Sequence, residues 1–572
     1  MNRIVKDIVH GDIYFDDLEK EIIDTDYIQR LKYVKQNGLG YLVYPSLNNS
    51  RFEHSLGVMH LSTRILDQVL ANSKNANDFI ASISNDLRDF KIDTGTMKPV
   101  LFVKRLLRVV ALVHDVGHFP LSHATEFSFG KMLRLDKVWL NFIYPNFDKK
   151  PHELLTLGVA NDTNLIADKN LRRAVSLVLL SDHKTLEIFH DIVPKFQKFF
   201  SRLQRSFFYT IKKIVSSALD ADRGDYLLRD GKISGSGFGS YDTDRFLSTL
   251  RITFDGSNDR YLVGISNKGL SVIESFLIGR FQLYKNVYLH RKVKMFNKIV
   301  DLLIENLSLP NTTYPSNPID PERYLNKLAS YLMYGKRREK ILRCGNSYID
   351  PSFLVHAPGG KYLDDIWLLN KIRRRKKTSS GMMVGHLDRK KSFKFLWKDI
   401  EEMREVMDYI IEDDSFVKRL TKLSGLSIKA KKKNFSLLPN LLFCNFKKVS
   451  IYKWFSETAK RYGHTLLWHT LHPRDFLINF DDVLIVDDDE VYLGKYEPPP
   501  ILNGICKTRE TFRYYERTEP LVWLSFSIPV SATKTKINEK RMRVKEHISK
   551  TFKSLCYTNK DFRDCVVASL DQ

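Results

Sequence analysis

Two histidines and two aspartates lie in settings where their side chains need a partner. His54 is in the segment RFEHSLG, His114 and Asp115 are adjacent within an apolar run, and Asp222 lies in a charged segment further along the chain. A charge among apolar neighbours is costly unless it is paired or binds a metal ion. Imidazole and carboxylate ligands suit a divalent cation such as Fe, Mn, Zn or Mg. These residue types therefore predict one divalent metal site, although a His-Asp pair by itself is more often structural.

More polar side chains follow the pair formed by His114 and Asp115. His118 comes four residues after His114, a spacing that places both on one face of a continuing helix. His123 follows after a proline, and Glu126 comes three residues later. Imidazoles beside a metal are suited to phosphate binding and to proton transfer.

Polar and aromatic side chains recur every four residues in two later segments. The members of these two stripes are Asp222, Tyr226 and Asp230, and Arg280, Tyr284 and Tyr288. Arg223 lies beside the first stripe. Arg, Tyr and Asp together suit a pocket that takes a phosphate at one end and a sugar hydroxyl at the other. The alternative is a solvated helix face with incidental pairs.

Periodicity predicts the elements that must position these residues. Helical patterns cover 17–35, 52–70, 104–118, 211–229 and 270–304, a flexible loop covers 231–240, and alternation over 251–265 predicts a hairpin. Strand-like pieces follow at 483–486, 491–493 and 521–528. The expected fold is mainly α, a helical core with a small β-hairpin plus a C-terminal α+β appendage. The predicted domains are a helical core over 1–305, a basic helical extension over 306–440 and the appendage over 441–572.

Composition excludes several classes of protein. The chain has 572 residues, a net charge of +24 and 43% hydrophobic residues, which is typical of a globular and not a disordered chain. No apolar run approaches the roughly 20 residues of a membrane span, and no secretory signal is expected. Five scattered cysteines without a CxxC pair argue against disulfides and cysteine zinc sites, and predict a cytoplasmic location.

Several segments together resemble the HD-domain superfamily. They are 36–40, 51–57, 114–123 and 222–230, and the segments 7–11 and 23–36 add to the resemblance. More closely, they are similar to the deoxynucleoside triphosphate triphosphohydrolases, namely the bacterial dGTPases and the eukaryotic SAM-and-HD-domain dNTPase. The resemblance runs from about residue 3 to about residue 305.

The resemblance implies a role for each matching residue. The metal ligands would be His54, His114, Asp115 and Asp222. The triphosphate would contact Arg51, His118, His123, Arg223 and Arg280. The sugar would contact Gln36, Tyr226, Asp230 and Tyr288. His152 matches a further family histidine, which pairs with an acidic residue at the position of Glu126. The family usually has Lys in place of Arg223 and Asp in place of Glu126.

The activity that the resemblance implies is hydrolysis of dNTPs to deoxynucleoside and inorganic triphosphate. The metal would lower the pKa of a water that attacks the α-phosphorus, and Mg²⁺ would accompany the nucleotide. His123 is the first choice as general acid, and His152 is the second. A tyrosine pressed on the sugar would leave little room for a 2′-hydroxyl.

A regulatory nucleotide site and a homo-oligomer are weaker implications of the same resemblance. The family segment that binds an activating nucleotide between subunits matches Asp24, Gln29 and Lys32, and Arg245 matches another regulatory arginine. Lys32 replaces the usual Arg, which alters bidentate recognition. An ordinary helix surface is the alternative.

Two other functions remain open from the sequence. The basic runs at 371–377 and 429–433 are suited to nucleic acid. The chain would then be an HD-domain phosphodiesterase or nuclease, or a non-catalytic nucleic-acid-binding HD protein. Aromatic residues, which stacking on single strands requires, are sparse in the sequence around both runs.

Overall fold

The structure is a computed structural model that describes residues 3–132, 151–181, 196–304, 307, 343–344, 347–348, 351–357, 359–374, 387, 391–411, 414–424, 438–439, 453–455, 457–458, 466–470, 484–486, 493–495, 522–529 and 531–571. The chain divides into two compact units. The first comprises Met1–Tyr288, Val300–Arg374 and Asn479–Glu497, and the second comprises Leu289–Ile299, Arg375–Ile478 and Pro498–Gln572. The domain boundaries at 305 and 440 stay predictions, and the basic run at 429–433 lies outside the described residues.

Helices make up most of the first unit. Their bounds are Asp17–Ile23, Asp26–Arg30, Arg51–Asn72, Ala76–Asp89, Pro99–Val113, Glu126–Met132, Pro151–Ala160, Lys169–Leu180, Gln197–Arg205, Phe207–Val215, Ala221–Ser234, Thr243–Thr249, Leu270–Leu283 and Asp365–Arg374, with a π-helical turn at Tyr284–Tyr288. Short 3₁₀ turns lie at Leu31–Tyr33, Gly40–Leu42, Ser122–Ala124, Asn267–Gly269 and Pro351–Leu354. Arg291–Ile304 is divided between the two units.

Strands of the first unit form three small sheets. Strands β1 (Arg3–Asp7) and β2 (Gly11–Phe15) make an antiparallel hairpin, as do β3 (Leu250–Asp255) and β4 (Arg260–Ser266). The predicted hairpin over 251–265 is thus confirmed. The third pair is β5 (Arg343–Cys344) with β6 (Ser347–Tyr348). Further along the chain, β9 (Leu484–Val486) pairs in parallel with β4, and β10 (Leu493–Lys495) pairs with β9.

Helix Arg51–Asn72 is the centre of the first unit and packs against Pro99–Val113 and Ala221–Ser234. Ser50 and Glu53 form a capping box that fixes its first turn. Pro99–Val113 is apolar, and its last five residues are fully buried. Asp220 caps the helix Ala221–Ser234 by accepting a hydrogen bond from the Arg223 backbone N–H. The middle of this unit therefore holds the starts of Arg51–Asn72 and Ala221–Ser234 and the end of Pro99–Val113.

Helix Pro99–Val113 ends earlier than the sequence pattern predicts. Residues 114–117 form a turn, so the prediction that His114 and His118 share a helix face is wrong. The turn has its own partners: the Thr156 hydroxyl accepts from the Gly117 N–H at 3.1 Å and donates to the His114 carbonyl at 3.2 Å. The buried Arg30 side chain donates to the carbonyls of Val116 and His118. These partners lie far away in the sequence, where periodicity cannot detect them.

Other long helical patterns are interrupted as well. The pattern over 211–229 is two helices, because the Asp220 carboxylate also accepts from the Ser217 N–H at 2.5 Å and starts a new helix. The pattern over 270–304 is broken by the π-helical turn at Tyr284–Tyr288. The loop predicted at 231–240 begins only at Gly235, whose φ of +68° ends the preceding helix.

The second unit combines helices with a three-stranded antiparallel sheet. The strands are ordered β7 (Lys391–Phe395), β11 (Val522–Pro529) and β8 (Leu466–Thr470). Its described helices are Ile400–Ile411, Asp414–Ser424, Lys534–Thr558 and Lys560–Asp571. Trp454 is fully buried there, with its ring 4.6 Å from that of Phe552. The prediction of a mainly α fold with a C-terminal α+β appendage is confirmed.

Among the described helices, none has the length and apolar character needed to cross a bilayer.

Asp86 makes the stability of the first unit depend on pH. Its carboxylate accepts from the Phe207 N–H at 2.8 Å, and burial raises its pKa to about 7 from the usual 3.8. A raised folded-state pKa means that ionised Asp86 destabilises the fold, increasingly as pH rises from about 4 to about 7. Asp86→Asn keeps the acceptor and removes the charge. We expect it to raise the free energy of unfolding by about 2 kcal/mol at about pH 8, and by less at about pH 5.

Thermal unfolding of both proteins at the two pH values checks this expectation. An equal stability difference at both pH values would contradict it.

Candidate active site

The structure brings His54, His114, Asp115 and Asp222 together. The Nε2 atom of His54 lies 3.1 Å from Asp222 Oδ1 and 3.7 Å from Asp115 Oδ2. The Nε2 atom of His114 lies 3.4 Å from Asp115 Oδ2 and 4.0 Å from Asp222 Oδ1. The four residues come from the first turn of Arg51–Asn72, the turn after Pro99–Val113, and the first turn of Ala221–Ser234. Side chains distant in sequence thus converge on one point.

The donor set fits a divalent cation. The ring Nδ1 of His114 lies 2.8 Å from the Ala111 carbonyl, to which it can only donate. Its Nε2 therefore carries the lone pair, and this buried atom has no hydrogen-bond partner among the described residues. Ligand atoms of His54, His114 and Asp115 lie within 4.8 Å of one another. Two nitrogens with carboxylate oxygens suit Fe, Mn, Zn or Mg, and the choice among these metals stays a prediction.

The local field favours positive charge at this point. Burial lowers the pKa of His54, but its hydrogen bonds to Asp222 and Asp225 outweigh burial and raise that pKa to about 10. Burial raises the pKa of Asp115, but the Arg51 guanidinium and the His114 ring hold it well below the usual range. The carboxylates therefore stay ionised and attract a cation or a proton.

Arg51 is packed against the metal-site carboxylate. Its side chain is buried, one guanidinium nitrogen hydrogen-bonds to Asp115, and its Nε donates to the Ser122 hydroxyl at 2.8 Å. The predicted contact of Arg51 with triphosphate stays a prediction. The structure places its charge directly beside the Asp115 carboxylate.

An imidazole cluster, defined as His118, His123 and His152, adjoins the metal site. His118 Nε2 lies 3.3 Å from Asp115 Oδ1. The Glu126 carboxylate bridges the other two rings, with the Nδ1 of His123 at 2.9 Å and the Nδ1 of His152 on its second oxygen. Burial raises the pKa of Glu126, but these two rings hold it well below the usual range.

The imidazole cluster is suited to an anion rather than to a second metal. The rings of His118 and His152 are stacked, with centroids 3.8 Å apart and planes at 17°. The nitrogen lone pairs of stacked rings lie in parallel planes and cannot converge on one ion. The three histidines are nevertheless close enough to one another to share a metal ion. The His123 side chain is 53% exposed, so this ring is accessible to a substrate. Burial, followed by the charges of Arg51 and His152, keeps the pKa of His118 well below its usual value.

The predicted sugar-binding residues also come together. Asp230 is buried, and its carboxylate accepts from Asn49 Nδ2 at 2.9 Å and from the Tyr288 hydroxyl at 2.8 Å. The Gln36 N–H donates to the Asn49 carbonyl at 3.1 Å, and Gln36 Oε1 is buried without a partner among the described residues. The Tyr226 and Tyr288 rings are 6.2 Å apart. Carboxylate, amide and hydroxyl groups therefore lie close together here, and Gln36 Oε1 remains available for a further hydrogen bond among the described residues.

Arg280, in the second stripe, and Arg223, beside the first stripe, lie close to the tyrosines. The Arg280 guanidinium is 4.8 Å from the Tyr284 ring centroid and hydrogen-bonds to Tyr226 and Tyr284. Arg223 Nη1 lies 3.2 Å from Asp220 Oδ2. Both stripes thus face one site.

The four residues predicted to bind a regulatory nucleotide are not all joined. Lys32 Nζ donates to Gln29 Oε1 at 2.7 Å, whereas Asp24 pairs with Lys20. Arg245 Nη2 donates to the Lys268 carbonyl at 2.7 Å. Among the described contacts, none connects Arg245 to the other three residues.

Sequence reasoning assigned no role to several residues that touch the site. Arg30 holds the turn at 114–118, and Asn49 holds Asp230. Ser122 holds Arg51, and Asp225 holds His54. Asp225 lies within the segment 222–230, which carries part of the family resemblance, and comes three residues after Asp222, which was a usable signal. The other three carry no local pattern, because an arginine, an asparagine or a serine near a turn is ordinary.

Comparison with known proteins gives relatives for half of the chain. No family model matches. An uncharacterized protein of Methanocaldococcus jannaschii, MJ1154, is 32% identical over 298 residues, which cover 52% of this chain and 48% of that protein. The HD domain-containing protein L394 of Acanthamoeba polyphaga mimivirus is 24% identical, with 51% and 55% covered. These similarities support a resemblance to HD-domain proteins, and the His/Asp cluster could hold a metal ion, which is consistent with a hydrolase of HD type.

A more particular resemblance is to the deoxynucleoside triphosphate triphosphohydrolase SAMHD1. The Bos taurus protein is 28% identical over 261 residues, which cover 44% of this chain and 38% of that protein. The chain spans about half the length, or less, of these curated relatives. A crystal structure of a hypothetical protein from Aquifex aeolicus covers 95% of this chain and 100% of that chain, at 18% identity and a TM-score of 0.49.

Proposed function

We propose that the protein hydrolyses deoxynucleoside triphosphates to a deoxynucleoside and inorganic triphosphate. The observation that carries this proposal is the convergence of His54, His114, Asp115 and Asp222 beside the imidazole cluster and both stripes. The resemblance to SAMHD1 triphosphohydrolases supports the substrate class. The scattered cysteines favour a cytoplasmic location.

The triphosphate would lie between the metal site and the arginines. Arg51, Arg223 and Arg280 supply fixed positive charge, and His123 and His118 supply ring nitrogens. A divalent cation bound by the His/Asp site would stabilise charge on the phosphoryl oxygens and lower the pKa of a water. Mg²⁺ would accompany the nucleotide phosphates.

The sugar would lie against the tyrosines. Asp230 and Gln36 would hydrogen-bond the 3′-hydroxyl, and the absence of a described partner for Gln36 Oε1 supports this role. Tyr226 and Tyr288 would pack on the ring. Burial and the adjacent Asp230 carboxylate raise the pKa of Tyr288 well above its usual value, so its hydroxyl keeps its proton and continues to donate.

The leaving 5′-oxygen requires a proton, and His123 is the first choice to supply it. Its ring is accessible and its Nδ1 lies on Glu126, a carboxylate that orients the ring for proton transfer. His152 shares the same carboxylate and is the second choice.

Product analysis tests the proposal directly. Purified protein is incubated with each dNTP, each rNTP and short oligonucleotides, with and without Mn²⁺ or Fe²⁺, and the products are separated by chromatography. We expect deoxynucleoside and triphosphate from dNTPs, and loss of both after chelation. Phosphate or dNMP from a metal-loaded protein would overturn the proposal, and oligonucleotide cleavage would indicate the phosphodiesterase alternative.

His123→Ala is expected to lower kcat about 100-fold or more, because general acid catalysis contributes on that order. The measurement is triphosphate release from a saturating dNTP. The control is a substrate analogue whose bridging 5′-oxygen is replaced by sulfur, because a thiolate leaves without protonation. The variant should recover most of the wild-type rate on this analogue. An equal loss on both substrates would contradict the general-acid role.

We also propose regulation by a nucleotide and assembly into a homo-oligomer. The juxtaposition of Gln29 and Lys32 supports a base-recognition site. If a regulatory nucleotide binds, adding a second dNTP should raise the rate on the first and should increase the mass measured by light scattering. A constant rate in every mixture would remove this idea.

A second candidate function is binding of single-stranded nucleic acid. A pocket of about 310 Å³ brings aromatic and basic side chains together, among them Tyr33, Tyr362, Trp367, Lys371 and Arg374. The run at 371–377 itself contains no aromatic residue, and folding adds Tyr33 from more than 300 residues away. Tyr33 is 43% exposed and stacks with Tyr362 at 6.0 Å. Stacking platforms beside cations are typical of single-strand binding, with Asp364 as an opposing charge in the same pocket.

Anisotropy of a fluorescent oligonucleotide tests this candidate. Tyr33→Ala should weaken binding roughly tenfold, since stacking contributes ~1–3 kcal/mol per base. Tyr14→Ala is the matched control, because Tyr14 is a similarly exposed tyrosine outside the pocket. Equal affinities of the two variants would exclude the pocket as the binding site.

A further inference from the structure

Asp225 is a fully buried carboxylate that touches the metal site without facing it. Its Oδ2 lies 2.8 Å from His54 Nδ1 and its Oδ1 lies 2.7 Å from His10 Nε2. Arg229 adds two further hydrogen bonds, from Nε at 2.9 Å and from Nη2 at 2.8 Å. Both oxygens therefore accept two hydrogen bonds each, which fixes the orientation of the carboxylate.

The N-terminal hairpin of β1 and β2 encloses this carboxylate. His10 lies in the turn of the hairpin, and its side chain is only 3% exposed. Asp7, at the end of β1, accepts from Arg229 Nη1 at 2.7 Å and from the backbone N–H groups of Val9 and His10. The hairpin thus supplies His10 and, through Asp7, holds Arg229, which are two of the three described side chains that contact Asp225.

The tightly packed Gly57 leaves room for the Asp225 carboxylate. A Cβ on Gly57 would lie 1.9 Å from Asp225 Oδ1 and 2.5 Å from Arg229 Nη2. Any larger residue would displace the carboxylate from His54. The segment RFEHSLG therefore requires a glycine one helical turn after His54, because a side chain there would displace Asp225.

The contact between Asp225 and His54 determines which ring nitrogen can bind a metal. A carboxylate can only accept, so Nδ1 of His54 carries a proton, and Nε2 is the ring nitrogen whose lone pair becomes available to a metal once the metal displaces its proton. That Nε2 is the atom that faces Asp222 and Asp115. A carboxylate behind a ligating histidine fixes the ring and strengthens the ligand.

We infer that Asp225 is a positioning residue, which holds His54 as an Nε2 ligand and is itself held by His10 and Arg229. The inference rests on the metal site of the proposed function and deepens it. It also makes the hairpin of β1 and β2 part of the metal site's support, although no residue of the hairpin faces the metal.

The variant Asp225→Asn changes this contact most sharply. An asparagine amide can turn its NH₂ toward Nδ1, which would shift the ring proton to Nε2 and remove the ligand lone pair. We expect the dissociation constant for Mn²⁺ to rise about 10- to 100-fold, as for other partners behind metal ligands. The measurement is calorimetric titration of the full-length, metal-free protein with Mn²⁺.

Glu19→Gln is the matched control. Glu19 is 2% exposed and pairs with Arg108, so this variant also removes a buried carboxylate from an arginine without touching His54. It should lose thermal stability and keep the wild-type affinity for Mn²⁺. Unchanged Mn²⁺ affinity in Asp225→Asn would overturn the inference. A wild-type protein that binds neither Mn²⁺, Fe²⁺ nor Zn²⁺ would instead overturn the proposed function.

A second measurement observes the wild-type protein, and a variant serves only to assign the signal. In Zn²⁺-loaded wild-type protein with ¹⁵N-labelled histidine, His54 should show a protonated Nδ1 and a metal-bound Nε2, with the signal assigned by its loss in His54→Gln. Metal bound through Nδ1, or no proton on that atom, would overturn the inference.

Discussion

Replacing Asp115 with Asn is expected to lower kcat for dNTP hydrolysis by at least about 1,000-fold, because a bound metal contributes several kcal/mol to the transition state. Asp115 Oδ2 lies near the Nε2 atoms of both His54 and His114, and the same carboxylate pairs with Arg51. Asparagine has nearly the same shape but no negative charge. The change therefore removes one metal ligand and the charge that neutralises a buried guanidinium.

The measurement is triphosphate release at saturating dNTP and Mn²⁺, together with the metal content of the purified protein. Asp86→Asn is the matched control, since it makes the same chemical change at a carboxylate bound to the Phe207 N–H. The control should retain wild-type activity. Retention of a tenth or more of the activity by Asp115→Asn, with its metal lost, would contradict the role of this site in the chemistry.

Gly57→Ala is expected to destabilise the first unit by about 3 kcal/mol, the order observed for overpacking and for disturbing a buried ion pair. The added methyl group would overlap Asp225 Oδ1 and Arg229 Nη2. Neither group can move freely, because each is held by two or more hydrogen bonds. The variant should also bind Mn²⁺ more weakly, since displacement of Asp225 frees His54.

Thermal unfolding checks this expectation, and the midpoint should fall by on the order of 5 °C. Gly256→Ala is the matched control, because a Cβ there would have no neighbour within 4 Å. A Gly57→Ala protein with the stability of the control would show that the carboxylate can be displaced without cost, and would weaken the support for Asp225 as a positioning residue.

Residue types and short spacings predicted many of the candidate site residues. The segments around His54, His114 and Asp222 identify metal-binding residue types without any knowledge of distances. They also carry the resemblance to HD-domain proteins, because each motif is local. The mainly α fold and the β3–β4 hairpin follow from local periodicity in the same way. The roles of the individual site residues stay predictions, although the structure brings most of them together.

Positions that depend on distant partners were not predictable. Helix Pro99–Val113 ends before His114 because Thr156 and Arg30 bind the following turn, and neither lies near it in the sequence. Parallel pairing of β9 with β4 joins residues more than 200 positions apart. Tyr33 meets the basic helix Asp365–Arg374 only through folding.

The sequence by itself determined which atoms can bind a metal ion or a phosphate, because that property belongs to each side chain. Only the tertiary structure decided which nitrogen of His54 contacts Asp225, and which one faces Asp222 and Asp115. Hydrogen-bond partners are selected by distance and angle in space, and chain separation carries no information about either.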